Sequence, residues 1–284
     1  MDLRMNDVDT IVDSAADGST SAQASDIDVY GQRNLTGWAG DEAMHHASGV
    51  FGRGRLLTYM KRNVKTGDTI VDLGCGAGYV TNQLMEFVGR SGKVIGYDGS
   101  RTLVGQAKLD FGHQLGLSFQ LHNVEDKIPL PTASIDWFVG FMLIQNLRGA
   151  QIQKMSKEIR RCLGPTGRAA FLTLHPSFFE TTWSLSFMRY EAEAIARWKK
   201  DMKDDVRIEG FVRSSASRLI KPVFAYTHSR RQIDKILESS GLLVCADMPI
   251  HLDKATIVEK FGPINSDAVP KDPLFWIFVV KKSN

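Results

Sequence analysis

Residues 69–98 read TIVDLGCGAGYVTNQLMEFVGRSGKVIGYD: a strand, a glycine-rich turn, a helix and a second strand that stops on an acid. Thr69, Ile70 and Val71 are β-branched, as suits a strand buried on both faces of a parallel sheet. Gly74, Gly76 and Gly78 alternate through a segment with no side chain large enough to cover a ligand. A bound molecule can approach main-chain N–H groups closely there, because glycine tolerates positive φ and has no Cβ. The helix opens near Tyr79, with Val80, Leu84 and Val88 spaced on one face. After Gly92 the chain returns as KVIGY and ends on Asp98, where a βαβ unit presents an acid to ribose hydroxyls. The glycine pattern is G-x-G-x-G: Tyr79 takes the place of the last glycine of a dinucleotide site, and no phosphate-type lysine follows.

The segment VDLGCGAGY resembles the first motif of class I S-adenosylmethionine-dependent methyltransferases, and VIGYD resembles their second. A later stretch, HNVEDKIPLPTASIDWFVGFMLIQNL, is similar to the small-molecule, ubiquinone-biosynthesis-like branch (methyltransferase types 11 and 25). There Asn123-Val124-Glu125 stands for an acid-small-acid triplet, Pro129 and Pro131 for the turn, and Ile135-Asp136 for the start of the next strand. The resemblance implies an α/β fold with a doubly wound, seven-stranded, mostly parallel Rossmann-like sheet, and S-adenosylmethionine as cofactor. It also implies the contacts. Asp72 and the backbone of Gly74, Gly76 and Gly78 lie near the methionine part, Asp98 at the ribose, Asn123 and Val124 at the adenine, and Phe141 at the end of the fourth strand. Asn123 replaces the usual acid, yet its amide oxygen can still accept a hydrogen bond from the adenine amino group.

The rest of the chain divides around this core. Residues 1–28 are rich in Asp, Ser, Ala and Thr and read as a disordered acidic segment. Residues 29–176 carry an N-terminal lid, with Tyr30 and Trp38 as candidates, an amphipathic helix and the cofactor-binding core. A helix capped by Ser100 is expected through about Leu115, a third strand over Leu117–His122, a fourth over Trp137–Phe141, and a helix from about Arg148 to Leu163. The turn Gly164-Pro165-Thr166-Gly167 leads into a fifth strand, Arg168–Leu174. Residues 177–225 interrupt the alternation with aromatics and a charged run, and read as a helical cap over the strand ends where ligands bind in open α/β sheets. Within it Lys221–Thr227 can form a short strand. Residues 226–284 return to the core: a helix over Ser229–Ser240 ended by Gly241, a strand over Leu242–Met248 stopped by Pro249, and a last, antiparallel strand over Leu274–Val280.

Methyl transfer from a sulfonium needs a nucleophile held roughly 3–3.5 Å from the methyl carbon in a site that excludes water. On the acceptor side, Gln145 follows the fourth strand and His175 ends the fifth; either can orient an acceptor, and His175 can take its proton. His228 reads as a group that caps the next helix or shapes the pocket. No metal is expected: His45-His46 lacks metal-site spacing, and Gly140-Phe141-Met142-Leu143 offers no acidic ligand. That sequence also lacks the tetrapeptide of DNA amino-methyltransferases, and no paired-glutamate loop of the protein-arginine type is present. A small-molecule acceptor remains, hydrophobic or aromatic given the cap, with O-methylation ahead of C- or N-methylation and specialised metabolism as the setting.

Composition agrees. The chain of 284 residues is 43% hydrophobic and 24% charged, with an overall formal charge of +3. Residues 1–30 hold seven aspartates and one arginine, a net of −6, which leaves +9 for the remainder. Those basic residues are scattered, which argues against a nucleic-acid partner. No long apolar run and no basic-plus-apolar leader point to a membrane, and Cys75, Cys162 and Cys245 are too far apart for a C-x-x-C, so a cytoplasmic setting is expected. Homo-oligomerisation stays open. Two rivals stand beside this reading: a nicotinamide-dependent oxidoreductase, against which Tyr79 argues, and a cofactor-binding regulatory protein without turnover.

Overall fold

The computed structural model describes residues 48–180, 188–190, 192–201, 203–213, 220–261 and 271–283. The readings placed on residues 1–28, Tyr30, Trp38 and His45-His46 lie outside them. Seven strands build the main sheet: β1 (Thr69–Leu73), β2 (Lys93–Asp98), β3 (Leu117–Leu121), β4 (Ile135–Phe141), β5 (Leu163–Leu174), β9 (Leu242–Ile250) and β10 (Phe275–Lys282). Their order is β3-β2-β1-β4-β5-β10-β9. The pairs among β1 to β5 are parallel, and β10 enters antiparallel between β5 and β9. The order reverses beside β1, so the ends of β1 and β4 flank the crevice where open α/β sheets bind ligands.

Strict alternation along the strands makes two cores. Ile70, Trp137, Val139, Ala170, Leu172, Ile277 and Val279 face one side, where α1 (Gly54–Asn63), α2 (Tyr79–Val88) and α3 (Arg101–Phe111) supply Leu56, Met60, Leu84, Val104 and Ala107. Val71, Phe138, Ala169, Phe171, Trp276 and Phe278 face the other, against Ile152, Met155 and Ile159 of α4 (Gly149–Cys162) and Ile233 and Leu237 of α6 (Arg230–Ser239). Asp72 shares the parity of Ile70 and is carried, buried, onto the first face.

Several sequence boundaries shift. The helix after Ser100 stops at Phe111, short of Leu115, although Ser100 does cap it by accepting the Leu103 N–H. Residues 164–167 remain within β5 and are passed by a register irregularity against β4. Pro249 does not end β9, which runs to Ile250 with Pro249 opposite Trp276. β9 is the outer strand of the sheet, so the missing N–H of a proline is tolerated there.

The largest correction concerns the cap. Among the described residues, 177–225 do not form the expected helical insertion: a 3-10 turn (Pro176–Glu180) and α5 (Ala192–Asp201) accompany a three-stranded antiparallel sheet of β6 (Met188–Tyr190), β7 (Arg207–Arg213) and β8 (Ile220–Tyr226). Both longer strands have the period and β-branched or aromatic content of a half-buried sheet: Ile208 and Gly210 point inward on β7, and Phe224 of β8 lies under the Arg207 guanidinium at 4.1 Å. The charged run after Trp198 belongs to the end of α5 and the turn beyond it. The strand expected over Lys221–Thr227 is present as β8, displaced by one residue toward the N-terminus. Among the described residues no helix is long and apolar enough to cross a membrane.

The second core hinges on Phe278, whose ring centroid lies 5.3 Å from Phe171 and 4.5 Å from Trp276. Phe278→Ala is expected to lower unfolding free energy by about 3–5 kcal/mol, read from chemical denaturation, through lost burial plus a residual cavity.

Candidate active site

The loop after β1 is held by backbone. Gly74 N–H and Cys75 N–H both donate to the Tyr97 carbonyl, at 2.8 and 3.0 Å. The Asp98 carboxylate then takes the Gly76 N–H on Oδ2 at 2.9 Å and the Ser100 N–H on Oδ1 at 2.8 Å. Gly76 and Gly78 both have positive φ, 56° and 84°, but serve different ends. A Cβ on Gly78 would sit 2.7 Å from the Phe119 ring and 3.0 Å from Ala107, so glycine there allows α2 to close on the sheet. A Cβ on Gly76 would meet nothing within 4 Å, because this turn borders open space. Cys75 is buried and its thiol is pushed well up by burial, with Asp98 and Asp72 adding to the effect, which leaves it inert.

Asp72 lies at the floor of the loop. Its Oδ2 accepts from Thr81 Oγ1 at 2.7 Å, while Oδ1, equally buried, has no hydrogen-bond partner. Burial pushes its pKa up to about 7; the Asp98 charge adds to this, and the Thr81 hydrogen bond and the Arg53 charge oppose it. Arg53, the last residue of the π-helical turn Ser48–Arg53, is itself half-buried, and burial lowers its pKa against the pull of Asp72. The sequence reading missed Arg53. An arginine at the head of an amphipathic helix carries no local mark of a charge partner nineteen positions on.

The adenine-side loop is folded on itself. Asn123 Oδ1 accepts the Glu125 N–H at 3.0 Å, so the oxygen assigned to adenine already closes a local turn. Val124 is half-buried against the second core. Farther along, Arg161 donates to the Ile128 and Leu130 carbonyls, at 2.8 and 2.9 Å, and Glu158 accepts the Ile128 N–H, which pins this loop to α4.

At the end of β4, Phe141 is buried in the first core, and Met142 takes a positive φ of 54°, strained for a residue other than glycine. The strain is held by neighbours: Met142 N–H donates to Leu172 O, and the Gln145 and Asn146 side-chain amides both donate to Met142 O. Gln145 Oε1 accepts from Thr173 Oγ1 at 2.9 Å. Gln145 and Thr173 border a small pocket, with cavity space of about 10 Å³, whose other walls include Leu174, Phe179, Tyr226, His228 and Trp276. His175 is not among its lining residues. Its Nδ1 lies 2.7 Å from Ser177 Oγ, whose hydroxyl goes to the Pro273 carbonyl at 2.5 Å. Burial lowers its pKa, helped by the His251 charge, and the other charges it feels are Asp272, Asp247 and Arg230. The structure therefore places Gln145 and His228 together and His175 apart, toward β9 and β10. Among the described residues no group of three or more His, Cys, Asp or Glu side chains could hold a metal ion.

A family model described as a methyltransferase domain matches residues 70–167. Over those residues the chain is a methyltransferase domain. A 2-phytyl-1,4-naphtoquinone methyltransferase of Synechococcus elongatus is 33% identical over 115 residues, 39% of this chain and 48% of that protein. A demethylmenaquinone methyltransferase of Lactobacillus johnsonii is 36% identical over 121 residues, 42% of this chain and 48% of that protein. The chain thus spans about half the length of the curated relatives it matches. The fold of an S-adenosylmethionine-dependent methyltransferase from Mesorhizobium loti superposes with a TM-score of 0.57, at 16% identity, over 80% of this chain and 96% of that one.

The loop of this methyltransferase domain fits the cofactor of its class. The unpartnered, buried Asp72 Oδ1 suits an ammonium donor, and the Gly76 turn, held on Asp98, leaves room for a ligand.

Two outcomes are expected. Gly78→Ala should lower the thermal midpoint by several degrees through the Phe119 clash and backbone strain, whereas Gly76→Ala should cost only about 1 kcal/mol of stability and chiefly weaken cofactor binding. For Asp72, raised in the folded state, the sign is that of a stability contribution present below the unfolded value near 3.8 and lost as pH climbs through about 7. Relative to wild type, Asp72→Asn should therefore gain on the order of a few kcal/mol between pH 4 and pH 8 in the cofactor-free protein, read from denaturation curves at each pH.

Proposed function

We propose that the protein transfers the methyl group of S-adenosylmethionine to an oxygen of a small, hydrophobic, aromatic acceptor of quinone or hydroquinone type. The observation that carries the acceptor class is the pocket beside Gln145, largely apolar in its Ile144, Leu174, Phe179 and Trp276 walls and polar only at Gln145, Thr173, Tyr226 and His228. The partial similarity to two quinone methyltransferases supports the same class.

When bound, the cofactor supplies an electrophilic methyl group on a positively charged sulfur. The chain's residues bind and orient. Asp72, backed by Arg53, receives the ammonium of the methionine part; Asp98 accepts the ribose hydroxyls; the Asn123-Val124 backbone meets the adenine edge, with Asn123 Oδ1 occupied in its own turn. Phe141 packs beneath the site at the end of β4. Gln145 has its oxygen on Thr173 and one N–H on Met142 O, so its second N–H is left to orient an acceptor oxygen. The edge-to-face pair Phe179–Trp198, 5.6 Å between centroids, closes the cap side against water. His175 has no part in this reading. An acidic hydroxyl reaches the site already ionised and needs no protein base.

Incubation with methyl-labelled S-adenosylmethionine and a panel of hydroxylated naphthoquinones should give a labelled product whose methyl group is on oxygen by NMR. A protein that binds the cofactor tightly yet transfers label to no member of the panel and to nothing in a metabolite extract would be a scaffold, and the proposal would fail. Asp98→Asn should weaken cofactor binding by about tenfold or more, since a charged acceptor is lost from the hydroxyls.

A further inference from the structure

His228 sits at the junction of the cap sheet and α6, with a side chain 6% exposed, and lines the pocket. Both of its ring nitrogens face oxygen. Nε2 lies 2.8 Å from the Leu147 carbonyl, and Nδ1 lies 2.7 Å from Gln232 Oε1. The Gln232 amide cannot be turned over, because its nitrogen donates to Asp205 Oδ2 at 3.0 Å and the reversed amide would set oxygen against a carboxylate. A carbonyl at one end and an amide oxygen at the other leave the ring as a donor at both nitrogens, which only the imidazolium form provides.

Two carboxylates and one guanidinium surround the ring. Asp205 Oδ1 is 3.7 Å from Nδ1, but its carboxylate also accepts the Gly149 N–H at 2.6 Å, at the positive end of α4, and is 41% exposed to solvent. Asp204 is engaged by the Ser229 N–H and hydroxyl. On the other side Arg148 donates from Nε to the Tyr226 hydroxyl at 3.1 Å and lies over that ring at 5.4 Å, adding a second positive group behind a lining residue.

We infer that His228 is held as an imidazolium in the pocket wall and selects acceptors that react as aromatic oxyanions, such as an ionised phenol or enol. The inference rests on the acceptor pocket proposed above. Both N–H groups are committed to the protein, so the ring acts through its charge and its C–H edge and is neither a base nor a hydrogen-bond donor to the acceptor. The hydroxyl proton leaves to solvent before transfer; the oxyanion's lone pair forms the new O–CH3 bond as the S–CH3 bond breaks and its electron pair stays on sulfur. His228 is thus a specificity-determining residue, and through the Leu147 carbonyl it also fixes the 3-10 turn Ile144–Asn146 that presents Gln145.

The test compares 2-hydroxy-1,4-naphthoquinone, an anion at neutral pH, with its neutral 2-methoxy analogue, as ligands of the protein saturated with S-adenosylhomocysteine. Wild type should bind the anion at least tenfold more tightly. His228→Gln, which can still donate to the Leu147 carbonyl, should lose that preference while keeping its affinity for S-adenosylhomocysteine and for the neutral analogue. Equal binding of the two probes by wild type, a preference that survives in His228→Gln, or binding of neither probe would overturn the inference. Failure to bind S-adenosylhomocysteine at all would instead strike the cofactor reading. Ring ¹⁵N NMR of wild type gives a readout that needs no variant: both His228 nitrogens protonated at pH 7 are expected, and a neutral tautomer would end the proposal.

Discussion

The carboxylate of Asp98, tied to the Gly76 and Ser100 amides, is the contact on which the rest of the site depends. It is possible only because β1 and β2 run parallel in a register that sets Leu73 beside Tyr97, so that the Tyr97 carbonyl takes the first two loop amides and the next residue takes the third. The glycine turn is therefore shaped before any ligand arrives. Binding then need not order that backbone, and more of the contact energy remains for affinity.

The same loop encloses an unfavourable charge. Asp72 is buried with one oxygen unpartnered, and burial outweighs both Thr81 and Arg53 in setting its proton affinity. A folding core alone would place an apolar residue at that point of β1, on the face shared with Ile70. The acid is destabilising in the empty protein, and under the proposed function a bound ammonium would compensate it, a trade of stability for function.

On the acceptor side the chain couples two sheets through polar groups. The Gly149 amide meets Asp205, Gln232 spans Asp205 and His228, His228 meets Leu147, and Arg148 meets Tyr226. These contacts join the cap, α6, the head of α4 and the turn after β4. Meanwhile the apolar members of that region, Phe179 and Trp198, pack edge to face. Position is thus set by hydrogen bonds and closure by aromatic packing. Met142, strained at the tip of β4, is held by the Leu172 carbonyl and by the Gln145 and Asn146 amides.

Much of this was legible in the order of residues. The β-branched run at Thr69, the glycine spacing through Gly78, the acid at Asp98 and the cap at Ser100 are local signals, and local signals specify a βαβ unit with its ligand loop. Helix faces such as Ile152, Met155 and Ile159 were equally clear, because period and burial coincide there. The cap was misread because aromatic density says only that surface will be buried; whether strands or helices bury it is settled by their partners across the fold. From residue order His175 reads as a candidate base and His228 as a helix cap or pocket-shaping group. Only the tertiary structure turned one toward Ser177 and Pro273 and enclosed the other between a carbonyl and an oriented amide, and only chain crossing brought Arg53 to Asp72. Sequence fixes what each segment can form, whereas the direction of a side chain and the charge it meets depend on segments tens of residues away.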